Sequence, residues 1–62
     1  MNKEIHAHLA QSARTESLLD AAMADFHALY VGKSETAAYR VAWHERRAWN
    51  WLKIAMRNAA RT

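Results

Sequence analysis

Sixty-two residues contain no proline and a single glycine, Gly32, and those two counts constrain the fold more than any other feature of the chain. A chain without proline has no obligatory helix breaker, and a lone glycine near its middle offers the one position where positive φ comes without a steric penalty. The rest is rich in alanine, leucine, arginine, methionine and glutamate, which are good helix formers. Gly32 therefore reads as the residue just past a helix C-terminus. Ser34 stands two positions on as a candidate cap, with Glu35 favourable in the first turn of a second helix. The reading is all-α: a first helix over about residues 2–31, a turn at 32–33 and a second helix over about residues 35–60, in one domain covering 1–62. The alternative is a first helix broken near residues 12–15, where Ser12 and Thr15 can each cap a fresh start, giving three helices.

Spacing of the apolar residues supports helices. Ile5, Leu9, Ser12, Glu16, Leu19, Met23, Phe26 and Tyr30 alternate by four and three, a heptad stripe with a polar middle. Ala38, Ala42, Glu45, Trp49, Leu52, Met56 and Ala59 follow the same alternation in the second half. Two such stripes joined by a short turn make an antiparallel helical hairpin. A chain this short buries little of its surface, and with no cysteine it has no disulfide to compensate. The expectation is that two hairpins dimerise into a four-helix bundle. Leu19, Met23, Phe26, Tyr30, Trp49, Leu52 and Met56 are the residues expected in the hairpin core or dimer interface. Glu16 and Glu45, polar within the two stripes, are expected to pair with arginines and set register, Glu45 with a basic residue of the other subunit.

Charge divides the chain. Residues 1–31 carry Lys3 and Arg14 against Glu4, Glu16, Asp20 and Asp25, a balance of −2. Residues 34–62 carry Arg40, Arg46, Arg47, Lys53, Arg57 and Arg61 against Glu35 and Glu45, a balance of +4, and Lys33 completes the net +3. All three tryptophans lie within WHERRAWNW, Trp43 to Trp51. At about 100° per residue, Trp49 falls on the main apolar stripe and Trp43 roughly opposite it, flanked by Tyr39 and Trp51 and close to Ile54. Arginines interleave with these aromatics. The second helix is thus expected to carry a second, aromatic and basic face, with Tyr39, Arg40, Trp43, Arg47, Trp51, Ile54 and Arg57 as its partner-binding residues. Tryptophan, tyrosine and arginine are the residues enriched at interface hot spots.

Other chemistries find less support. His6 and His8 are about 200° apart on a helix, His27 and His44 stand alone in sequence although a hairpin could bring them to within a few turns of each other, and no HExxH motif occurs, so no metal or cofactor is expected. No glycine-rich phosphate loop is present, and a hairpin offers no deep pocket for a nucleophile beside a base, so no enzyme and no catalytic residue is expected. The first residues lack the apolar run of a signal peptide and no stretch approaches a membrane span, which reads as a soluble, cytoplasmic chain without membrane binding. The functional reading is a protein-interaction module that binds another protein stoichiometrically and inhibits or modulates it. In size and composition the chain resembles the small accessory proteins with which phages and mobile elements inhibit host regulators or defence systems, a resemblance of type carried by no motif. The alternatives are a small basic DNA- or RNA-binding regulator, using Arg40, Arg47, Arg57 and Arg61 on phosphates, and a structural homo-oligomeric subunit without a client.

Overall fold

The computed structural model describes residues 2–62 and shows two helices, α1 (Asn2–Ala28) and α2 (Ala37–Ala59), packed antiparallel along their lengths. The all-α hairpin expected from the sequence is the fold. α1 runs unbroken through residues 12–15. The Thr15 hydroxyl donates back to the Gln11 carbonyl (3.1 Å) within the helix, while Ser17 reaches across to α2. The connection is longer than the two residues anticipated. α1 ends at Ala28, and Gly32 adopts φ +88°. The amides of Lys33 and Ser34 both donate to the Tyr30 carbonyl at 2.9 Å. α2 starts at Ala37, two residues later than a Ser34 cap would place it. Thr36 holds the cap position without a side-chain bond to the helix, and the Ser34 hydroxyl turns toward Thr36 instead.

The seam between the helices is built from small and polar residues. On α1 it comprises His6, Ala10, Ala13, Ser17, Asp20, Ala24 and His27; on α2, Ala37, Val41, His44, Ala48, Trp51, Ala55 and Asn58. Both sets alternate by four and three, a heptad pattern. Ala10, Ala13, Ala24, Ala37 and Ala55 are at most 5% exposed, and with Asp20 they make up the whole buried set of the described residues. Alanine lets two helix backbones approach closely, and cross-helix hydrogen bonds then fix the register. His6 meets the Asn58 side-chain carbonyl at 2.9 Å, Ser17 donates to the Ala48 carbonyl at 2.8 Å, and His44 donates to Asp20 at 2.8 Å.

This seam corrects the expected one by a single residue on each helix. On α1 every seam position follows a member of the Ile5–Tyr30 stripe by one; on α2 every seam position precedes a member of the Ala38–Ala59 stripe by one. One residue is about 100° on a helix, so both stripes of larger residues are turned out of the seam. Trp49, expected in the hairpin core, is 63% exposed, as is Met56, whereas Trp51, expected on the outward face, is half-buried in the seam. Because the two helices are antiparallel, the opposite one-residue offsets send the stripes to opposite broad faces of the hairpin.

The molecule is correspondingly thin, 49 × 12 × 10 Å, with a radius of gyration of 14.3 Å. A compact chain of this length would have about 10.6 Å. The hairpin exposes 4946 Å² for a mass of 7.1 kDa, against about 4,100 Å² for a typical folded monomer of that mass.

Candidate interaction surface

One broad face joins α1's stripe to the basic side of α2. Ile5, Leu9, Leu19, Met23, Phe26 and Tyr30 line α1 there, none less than 42% exposed. Heptad geometry places Arg40, Trp43, Arg47, Ile54 and Arg57 of α2 alongside. The contacts agree. Phe26, Tyr30 and Arg40 border one shallow depression near the turn with His27, Ser34 and Ala37. From the same side the Arg47 guanidinium reaches Asp20 at 3.4 Å and lies 4.7 Å from the centre of the Trp43 ring. Residues expected to serve separately as hairpin core or dimer interface (Leu19, Met23, Phe26, Tyr30) and as partner-binding set (Arg40, Trp43, Arg47, Ile54, Arg57) therefore share one surface. Tyr39, 71% exposed, stands on the outer edge of α2 beside it. Trp51 does not join it.

Beneath this arginine face lies a cluster that composition and stripe counting passed over. Asp20 is 7% exposed and accepts from both His44 and Arg47. His27 stacks on His44, with ring centroids 5.4 Å apart and planes 12° from parallel, and the Trp43 ring meets His44 edge-on at 4.8 Å. The cluster anchors Arg47 and Trp43 from below, so the exposed indole and guanidinium start from a fixed geometry. The available signal was the polar heptad His6, Ser17, Asp20 and His27, one residue off the obvious stripe. Among the described residues no three His, Cys, Asp or Glu side chains are grouped to hold a metal ion. Among the described residues no helix is long and apolar enough to cross a membrane.

His27 sits below the ordinary histidine value of 6.5, chiefly through desolvation, then through Arg40 and His44. Its folded form resists the proton that the unfolded chain accepts, so stability from this group is complete above pH 6.5 and is lost as pH falls through the lowered value. Thermal melts between pH 7.5 and pH 5 should show a falling midpoint, with a shallower fall in His27→Gln. Equal slopes for the two proteins would remove His27 from the account.

The opposite broad face differs in shape. α2 places Trp49, Leu52 and Met56 there, whereas α1 places Ala21, Asp25 and Ala28 toward the turn and then Leu18, 72% exposed, and Arg14. Between the two walls runs an open trench of about 450 Å³, lined by Ser17, Ala21, Ala24, Asp25, Ala28, Val41, Glu45, Ala48, Trp49 and Leu52. No family model matches this sequence, and no curated protein or solved structure matches it either.

Proposed function

We propose that this hairpin is a small protein-interaction module that binds another protein stoichiometrically through its arginine face and inhibits or modulates it. The observation that supports this reading is the exposed apolar side of α1, Leu19, Met23, Phe26 and Tyr30 toward the turn and Ile5 and Leu9 beyond Ser12 and Glu16, 42–56% exposed and lying beside Arg40, Arg47 and Arg57. Isolated exposed apolar residues are ordinary, but a contiguous cluster such as Leu19, Met23, Phe26 and Tyr30, bordered by polar groups, marks an interaction site. The arginines select for acidic groups around an apolar groove on the partner, and they steer encounter more than they hold the complex. This cluster also favours protein over nucleic acid, because phosphate contacts leave large aliphatic side chains without a role. The proposed setting is that of small phage or mobile-element accessory proteins acting on a host regulator or defence system.

A photo-cross-linking residue in place of Leu19, expressed in the cells that make the protein, should yield one predominant 1:1 adduct with a different protein. Arg40→Glu combined with Arg57→Glu should cut the adduct roughly tenfold or more. Adducts only with nucleic acid or with another copy of this chain would defeat the reading, as would indifference to the charge reversal.

A further inference from the structure

We infer that the trench face pairs with a second copy of this chain, the Trp49 indole of each copy seated against Leu18 and Ala21 of the other. This is separate from the reading of the arginine face and uses different residues. The first ground is area. The hairpin exposes about 800 Å² more than a typical monomer of its mass, and one partner of a standard-size interface contributes about 800 Å².

The second ground is shape. A two-fold interface brings one patch against itself, so the patch must hold both projections and hollows. The trench face does: Trp49 and Leu52 project from α2's wall and Leu18 from the end of α1's wall, while Ala21, Ala24 and Ala28 leave a hollow toward the turn. A two-fold axis along the hairpin keeps each residue at its level and exchanges the walls. It lays α2 of one copy on α1 of the other, so that every neighbouring pair of helices is antiparallel, as in an up-and-down four-helix bundle. The seam pairs Ser17 with Ala48, which puts Trp49 at the level of Ser17. The incoming indole then meets Leu18 and Ala21 of its partner, an apolar seat. Trp49 is 63% exposed, and Asp25 and Glu45 on the trench walls supply acceptors for an indole N–H. The arginine face lacks this self-fit. Its α1 side carries Ile5, Leu9, Leu19, Met23, Phe26 and Tyr30, and these would meet Trp43, Ile54 and three arginines.

The test is mass in solution at micromolar concentration, by sedimentation equilibrium and native mass spectrometry. Wild type should be a dimer. Trp49→Ala, and Ala21→Glu at the exposed trench wall, should each weaken it roughly thirtyfold or more, the loss typical of a hot spot. Trp43→Ala and Leu19→Glu should leave it intact. Helicity by circular dichroism identifies any variant that unfolds. For that case, a protein with Trp43→Phe and Trp51→Phe keeps Trp49 as its one tryptophan, and the emission of that indole, excited selectively over Tyr30 and Tyr39, should shift to shorter wavelength as the dimer forms. A wild-type monomer would overturn the inference, as would a dimer broken by Leu19→Glu but not by Trp49→Ala. So would a larger assembly lost equally through both faces, which would mean head-to-tail contact, or emission unchanged with concentration. None of these outcomes depends on whether the arginine face finds its partner.

Discussion

Replacing Asp20 with alanine should lower the melting midpoint by roughly 10–20 °C, a large loss for a change of three heavy atoms. Asp20 is the only charged residue in the buried set, 7% exposed, and one of its oxygens accepts from both His44 (2.8 Å) and Arg47 (3.4 Å). The two donors respond differently to its removal. The Arg47 side chain is 45% exposed and can turn to water. The His44 side chain is 14% exposed, and its Nδ1–H would be left facing apolar surroundings. A hydrogen bond to a charged group contributes about 1.5–3 kcal/mol, and an unsatisfied buried donor costs about 1–3 kcal/mol. Taken together and discounted for Arg47's exposure, the loss is about 2–3 kcal/mol. A chain of this length has a total stability of roughly 3–9 kcal/mol, and its midpoint moves about 4–8 °C per kcal/mol. The check is a circular-dichroism melt of Asp20→Ala beside Arg47→Ala, which should cost under 1 kcal/mol because its side chain is largely solvated. A midpoint within about 2 °C of wild type would show that Asp20 does not hold the hairpin. The same substitution should loosen Trp43 and Arg47 on the arginine face, since both are braced by this cluster.

Gly32 and the absence of proline made the hairpin legible, and the four-three alternation made the two helices legible. The seam was harder to read, for a physical reason. Counting large apolar residues finds the surface with the most to gain from burial, and this chain has two such stripes, Ile5–Tyr30 and Ala38–Ala59. Helix contact is decided by how closely backbones can approach and by which polar groups can pair. Ala10, Ala13, Ala24 and Ala55 permit the approach, and His6, Ser17, Asp20, His44 and Asn58 make the pairs. Those residues carry little weight on a hydropathy scale, so the pattern lay one position from the stripe and unread. The aromatic and basic face was visible as Trp43, Arg40, Arg47, Ile54 and Arg57 on one side of α2. Its α1 half was not, because Leu19, Met23, Phe26 and Tyr30 had the pattern of an inward stripe. Once the seam turns by one residue they join that face, and Trp49 parts company with them.

Ala13→Leu separates these two accounts of the core by the sign of its effect. If large apolar side chains held the helices together, adding three carbons at an inward position would be neutral or stabilising. Ala13 is 2% exposed. The register that pairs His6 with Asn58 and Asp20 with His44 sets it against Trp51, a small residue facing a large one. Leucine at this point must displace the indole or push the backbones apart, and parting them would stretch the Ser17–Ala48 bond one turn away. Overpacking of this kind costs about 1–3 kcal/mol. The lost seam bond adds about 1 kcal/mol, so the midpoint should fall by roughly 10–20 °C. Ala22→Leu is the control. Ala22 is exposed and stands away from the seam and from both broad faces, so the same chemical change there should stay within about 0.5 kcal/mol. Urea titrations of the two variants provide the comparison, with the slope checked so that a change in midpoint is read as a change in stability. A stabilised Ala13→Leu would mean that the helices meet along the bulky stripes after all, and the exposed apolar side of α1 on which the interaction surface rests would no longer exist.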